Sequence, residues 1–233
     1  MPLANIRWLL LDLDNTLLDF TQSAKRALSA TYRVFGVERN TKNVDTYREI
    51  NNKCWLAFES GHIDVATLKN LRFHLLVDEL NLDVDPNAIN QYYLRTLSQQ
   101  IDPMPGAHSF LKWSSKHFSL VLATNGFQEV QRPRIASSGM AAYFDHIVIS
   151  EEIGFNKPAP GFFEYTFEKM GAPKKTHVMI IGDNLGSDIQ GGSDYGIRTC
   201  WFNPEQYSPS PTSPVPDLSI AALDDFRQKW KPV

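Results

Sequence analysis

The sequence predicts an α/β fold, a parallel-sheet core interrupted after its first strand by an all-helical insertion. Three observations carry this. Short apolar runs recur along the chain, and the chemistry-bearing ones stop at polar or acidic residues. From residue 103 onward these runs alternate with stretches of helical period, the pattern of βαβ units and a parallel sheet. Residues 18–100 instead carry helical periods and almost no strand signal.

The first run is Trp8-Leu9-Leu10-Leu11-Asp12-Leu13-Asp14-Asn15-Thr16. Its unbroken apolar start suits a strand buried on both faces of a parallel sheet, expected over 7–13. Asp12 and Asp14 stand two apart, so on a strand they point the same way and address one site at its end. Ligands of open α/β sheets bind outside the carboxyl ends of the strands. Paired carboxylates there hold a hard cation, attack an electrophile or shuttle a proton. The alternative is a strand followed by an Asx-rich turn.

The insertion reads as four helices. Thr21 is expected to cap the first, with Ala24, Ala27, Leu28, Thr31, Val34 and Phe35 on one side and Gly36 at its end. Val44, Tyr47, Asn51, Cys54, Trp55 and Phe58 make a second stripe, and Leu68, Leu71, Leu75 and Leu76 a third. Asp85-Pro86 supplies a cap and first residue for a fourth. Most residues of these stripes are core. The expected division is a helical domain at 18–102 inside a core of 1–17 and 103–233.

Four further strands are expected at 119–124, 146–150, 177–182 and 197–202, with helices at 105–116, 127–138, 160–170 and 186–195. Pro133 should kink the second of these helices. Residues 204–216 contain five prolines and read as an extended surface loop. Leu223, Phe226 and Trp230 share one face of a closing helix.

Bulk properties narrow the function. The chain has 233 residues and net charge −3, so no basic nucleic-acid footprint is expected and a phosphate ligand must be handled locally. Cys54 and Cys200 lie far apart and read as buried free thiols in a reducing compartment. No secretory signal or membrane-spanning run is evident. The expectation is a cytoplasmic protein, monomer or homodimer, with a small-molecule partner and neither nucleic-acid polymer nor membrane.

The later strands also end in polar groups. The second ends in Thr124-Asn125-Gly126, a hydroxyl followed by backbone N–H groups near a helix start, suited to an anion. Lys157 follows the third, between a strand end and a helix start, with Pro158 and Pro160 just after it. The fourth ends in Gly182-Asp183-Asn184-Leu185-Gly186-Ser187-Asp188. On one edge of a parallel sheet these ends gather four carboxylates, a hydroxyl and an ammonium. Unpaired carboxylates crowded together repel and raise one another's pKa. A hard divalent cation such as Mg²⁺ removes the conflict and brings phosphate oxygens with it.

In that order, DxDxT, strand-end Thr-Asn, Lys-Pro and GDxxxxD resemble the haloacid dehalogenase-like (HAD) phosphohydrolase superfamily, over residues 6 to about 203. The resemblance implies a Rossmann-like core with a type-1 helical cap. It implies that Asp12 is the nucleophile forming an aspartyl-phosphate. Asp14 would protonate the leaving oxygen, later activate water, and lend its backbone carbonyl to the metal. Thr124, Asn125 and Lys157 would bind phosphate, and Asp183 would ligate Mg²⁺ with Asp12. Thr16 and Asp188 would support the site. Physically, a free Asp12 is ionised at neutral pH, whereas Asp14 needs a raised pKa to deliver a proton.

Asp14 argues for a phosphate ester, because the dehalogenases of this superfamily generally lack the second aspartate. The stretches Thr124-Asn125-Gly126-Phe127, Ile149–Gly154, 182–192 and 196–203, with Asn51–Trp55 and Gly61–Ile63, are similar to the bacterial pyrimidine 5′-nucleotidase branch. That implies a nucleoside 5′-monophosphate phosphatase. An N-acylneuraminate-9-phosphatase is the rival, and a non-catalytic phosphate-binding module on the same fold is the alternative of another class. Phe20, Trp55 and Phe58 are expected to face the base. Arg132 and Arg134 could approach a ribose or phosphate, with solvated positions expected for both, and the histidines read as structural or surface residues.

Overall fold

The computed structural model describes residues 5–230; the ends of the expected core, 1–4 and 231–233, lie outside them. Six strands form one parallel sheet: β1 (Trp8–Leu11), β2 (Ser119–Thr124), β3 (His146–Ile149), β4 (Val178–Gly182), β5 (Arg198–Phe202) and β6 (Leu218–Ile220), in the order β3-β2-β1-β4-β5-β6. Strand order reverses at β1, so the crevice where such sheets bind ligands lies at the ends of β1 and β4.

The two-residue period of the strands sorts the core onto two faces. Leu9, Leu11, Leu120, Leu122, Met179 and Ile181 share one cluster, covered by α5 (Ala107–Ser114) through Phe110 and Leu111 and by α10 (Leu223–Lys229) through Phe226. Leu10, Val121, Ala123, Val178 and Ile180 share the other, covered by α8 (Pro160–Lys169) through Phe162, Phe163 and Phe167. Leu9, Leu10 and Leu11 are all fully buried, as a strand covered on both faces requires.

The chain divides into two compact units, one running to Phe20 and resuming at Ile101, the other Thr21–Gln100. The second unit holds α1 from Thr21 on (the helix is Phe20–Val34), α2 (Thr41–Glu59), α3 (Val65–Glu79) and α4 (Pro86–Leu97). Asn40, Asp64 and Asp85 cap α2, α3 and α4, each side chain accepting a backbone N–H of the first turn. Its centre is aromatic: Tyr47, Phe73 and Tyr93 lie 5.1–5.5 Å apart, centroid to centroid. The third stripe needs correction, since Leu75 is exposed while Phe73 and Val77 are buried. Thr21 is not a cap either, because the helix already includes Phe20.

Other departures lie in the core. β1 stops at Leu11, so Asp12 and Asp14 stand beyond the strand, in a turn where Leu17 and Leu18 both bond the Leu13 carbonyl. The chain rises from β3 through α7 (Ser150–Ile153) before reaching Lys157. Instead of one helix at 186–195, a π-helical turn (Leu185–Gln190) precedes the short α9 (Gly191–Tyr195). α6 (Gln128–Ser137) runs with Pro133 inside it. β6 carries too short a signal, three residues after the exposed proline-rich segment, to be read from sequence. No described helix is long and apolar enough to cross a membrane. Both cysteines are buried and free.

Candidate functional site

The site begins where β1 ends. Asp12 donates its backbone N–H to Ile181 of β4 (3.0 Å), which anchors it at the reversal point of the sheet. Its Oδ1 accepts from Lys157 Nζ at 2.8 Å. The same ammonium reaches Asp188 Oδ1 at 2.6 Å and the Ala123 carbonyl at 2.7 Å. Lys157 is therefore no surface lysine: it is 1% exposed, with all three donors used.

Three devices hold this arrangement. Asn125 spends both ends of its amide on the backbone of Lys157, donating to its carbonyl (2.7 Å) and accepting its N–H (2.8 Å). The side chain expected at the phosphate thus fixes the lysine. Asp188 lies so close to β4 that a Cβ on Gly182 would fall 2.1 Å from its Oδ2, and only glycine leaves that room. Its Oδ2 also accepts the Asn184 N–H at 3.2 Å. Finally, Trp201 of β5 donates to the Asp183 carbonyl at 2.8 Å.

Asp12, Asp183 and Asp188 bring carboxylate oxygens within 4.8 Å of one another. Burial pushes Asp12 up to about 7, with the charges of Asp188 and Asp14 adding and Lys157 opposing. Burial likewise raises Asp183 well above the usual carboxylate range, helped by Asp12 and Asp188. Burial alone would lower Lys157, but Asp12 and Asp188 hold it above its ordinary value. If all three carboxylates ionise, one ammonium leaves two negative charges uncompensated. An all-oxygen donor set short of two positive charges fits a hard dication.

Asp14 takes different partners. Its Oδ1 accepts from Arg134 Nη1 at 2.5 Å and its Oδ2 from Gln131 Nε2 at 2.8 Å. Arg134 is fully buried, which overturns the solvated reading; Arg132 does pair at the surface, with Glu152. Thr124 is buried, its Oγ1 accepting from Gln131 Nε2 (2.9 Å) and the Gly126 N–H (3.2 Å). Thr16 is fully buried, and its Oγ1 has no partner among the described residues. The Phe20 ring lies under the Arg134 guanidinium, 5.6 Å from centroid to carbon. Trp55 and Phe58 are half-buried on α2, edge to face at 5.8 Å.

The structure brings together Asp12, Asp14, Thr124, Lys157, Asp183 and Asp188 from the expected set, and adds Gln131 and Arg134, which the sequence did not place there. Their only signal was spacing, since i and i+3 lie on one helix face with Val130 and Ile135.

A carboxylate trio and a buried lysine at the reversal point of a parallel sheet make a charged centre whose oxygen donors suit a hard cation, on the α/β fold of a hydrolase. The chain belongs to the haloacid dehalogenase-like hydrolase family, whose model matches residues 6–196. It is 31% identical over 221 residues to the pyrimidine 5′-nucleotidase YjjG of Escherichia coli, covering 95% of this chain and 96% of that one. It is 35% identical to the pyrimidine 5′-nucleotidase PynA of Streptococcus pneumoniae, over 94% and 93%. The crystal structure of the HAD-hydrolase YfnB of Bacillus subtilis bound to magnesium superposes with a TM-score of 0.89 at 32% identity, over 96% and 97% of the two chains.

Proposed function

We propose that this protein is a magnesium-dependent phosphomonoester hydrolase working through an aspartyl-phosphate, with nucleoside 5′-monophosphates as substrates. The observation that carries the reading is the Asp12–Lys157–Asp188 cluster with Asp183 beside it and Asp14 adjacent. Relatives named as pyrimidine 5′-nucleotidases that span nearly the whole chain support the substrate class.

Asp12 attacks phosphorus. The bond to the leaving oxygen breaks, its electron pair goes to that oxygen, and Asp14 supplies the proton. Water then attacks phosphorus, Asp14 takes a water proton, and the bond to Asp12 breaks to release inorganic phosphate and the free carboxylate. Splitting the hydrolysis this way replaces one difficult step by two easier ones. Thr124 binds a phosphoryl oxygen through its hydroxyl proton, Lys157 reaches one by exchanging one of its three present partners, and Asn125 acts by fixing Lys157. Asp12, Asp183 and the Asp14 backbone carbonyl would hold Mg²⁺, with Asp188 in support, and the ion would supply positive charge to the carboxylates and the phosphate. Thr16 shapes the turn that carries Asp14. Free buried thiols at Cys54 and Cys200 favour a reducing, cytoplasmic setting.

Trp55 and Phe58 are the proposed base-recognising residues. Trp55→Leu is expected to raise KM for nucleotides about tenfold, on the scale of one lost base–aromatic stack, while sparing a small generic phosphate ester. An equal loss on both would sink that assignment.

The test of the function is phosphate release from a panel of nucleoside 5′-monophosphates, sugar phosphates and N-acylneuraminate 9-phosphate, with Mg²⁺ and with chelator. Metal-dependent release fastest on pyrimidine monophosphates is expected. A preference for a sugar phosphate keeps the chemistry and replaces the substrate; no release from any ester leaves a binding module.

A further inference from the structure

The geometry points to Arg134 and Gln131 as positioning residues that set the direction of the Asp14 carboxylate, an inference that rests on Asp14 being the proton-transferring group. Both come from the inner face of α6. Each Asp14 oxygen meets a donor from a different side chain: Oδ1 meets Arg134 Nη1 at 2.5 Å, and Oδ2 meets Gln131 Nε2 at 2.8 Å. Two-point holding of this kind fixes a carboxylate's plane as well as its place.

The holders are themselves fixed. Arg134 Nη1 also donates to Gln131 Oε1 at 2.9 Å, which determines which end of the amide faces Asp14. Gln131 Nε2 in turn donates to Thr124 Oγ1 at 2.9 Å. Phe20 lies against the guanidinium. A Cβ on Gly126 would fall 2.1 Å from Gln131 Nε2, so the glycine after Thr124-Asn125 leaves room for this side chain to pass.

The burial is asymmetric. The Arg134 side chain is fully buried, whereas that of Asp14 is 25% exposed. Burying a guanidinium is costly, and here it is spent on a carboxylate at the open edge of the site. Asp12 meanwhile points to Lys157. The two aspartates, two residues apart in the turn, are thus held on separate partners, one set for phosphorus and one for the leaving oxygen. Misplacing a catalytic group by about 1 Å can cost on the order of 10²-fold in rate.

The test is a single-turnover measurement of leaving-group release with Mg²⁺, comparing a nucleoside 5′-monophosphate with p-nitrophenyl phosphate. The nucleoside alkoxide needs a proton as it departs; the nitrophenolate does not. Arg134→Gln and Gln131→Leu should each slow nucleoside release by roughly 10- to 100-fold, at least tenfold more than they slow nitrophenolate release. Arg134→Lys should recover part of the loss, and Arg134→Gln should add nothing in an Asp14→Asn background. Thermal unfolding identifies a variant that fails to fold, and the other then carries the test. Equal slowing on both substrates, or full additivity with Asp14→Asn, overturns the inference. If Asp14→Asn slows nucleoside release and the two positioning variants do not, the inference falls and the reading of Asp14 stands. If Asp14→Asn changes nothing, that reading falls and takes the inference with it.

Discussion

Asp12 is the residue on which the proposed chemistry turns, and its surroundings make its charge conditional. Sequence alone implied a carboxylate ionised at neutral pH. In the fold, burial and neighbouring carboxylates push it up to about 7. A carboxylate raised above its unfolded value of 3.8 contributes stability fully present below about pH 4 and lost as pH rises through about 7. In chelator, the melting temperature of the wild type relative to Asp12→Asn should therefore fall between pH 5 and pH 8, by an amount worth a few kcal/mol at most. Adding Mg²⁺ should reduce or reverse that fall, because a cation favours the charged ligand and competes with protons. A wild-type advantage that grows with pH in chelator would contradict this electrostatic picture.

Arg134 illustrates what single residues hide from sequence. A basic residue next to Pro133 in a polar helix reads as solvated, and nothing in composition distinguishes it from Arg132. Only the return of α6 against the turn after β1 gives the two arginines opposite fates. Asn125 is a similar case: its neighbourhood was legible, its partner was not.

At the scale of elements, the strands were legible because burial on both faces leaves an unmistakable run, as at Leu9–Leu11. Their ends were less so, and β1 stops a residue before Asp12 because the chain turns over Leu13. β6 follows thirteen residues dominated by proline and polar side chains, and three residues carry no period. The helices of the second unit were legible in number from their stripes and caps, though Leu75 shows that a run of leucines does not fix which one turns inward. The junction of β4 with the π-helical turn carries its own prediction. Gly182→Ala would drive a Cβ into Asp188, which Lys157 and the Asn184 N–H hold in place. The expected cost is about 1–3 kcal/mol from overpacking, or roughly 2–10 °C in Tm, with a parallel loss of activity. An unchanged Tm would mean that Asp188 can move, and that the cluster is less rigid than its contacts imply.

For the whole molecule, a chain of net charge −3 concentrates three carboxylates around one buried lysine at the point where sheet order reverses. Such a concentration is unfavourable unless a cation and an anion are to be gathered there. Resemblance to known hydrolases extends over residues 6–196, across both compact units. The enzyme family was legible because four spaced motifs survive as linear text, while the supports that orient them come from elements distant in sequence.

The proposed function rests on covalent catalysis at Asp12. Its most direct test is to mix the enzyme and Mg²⁺ with a phosphate-labelled nucleoside 5′-monophosphate, quench in acid within a turnover, and map the labelled peptide. Label is expected on the peptide carrying Asp12, formed no more slowly than phosphate is released, and none with Asp12→Asn or in chelator. Phosphate released at full rate with no labelled protein, or by Asp12→Asn as fast as by the wild type, would contradict it.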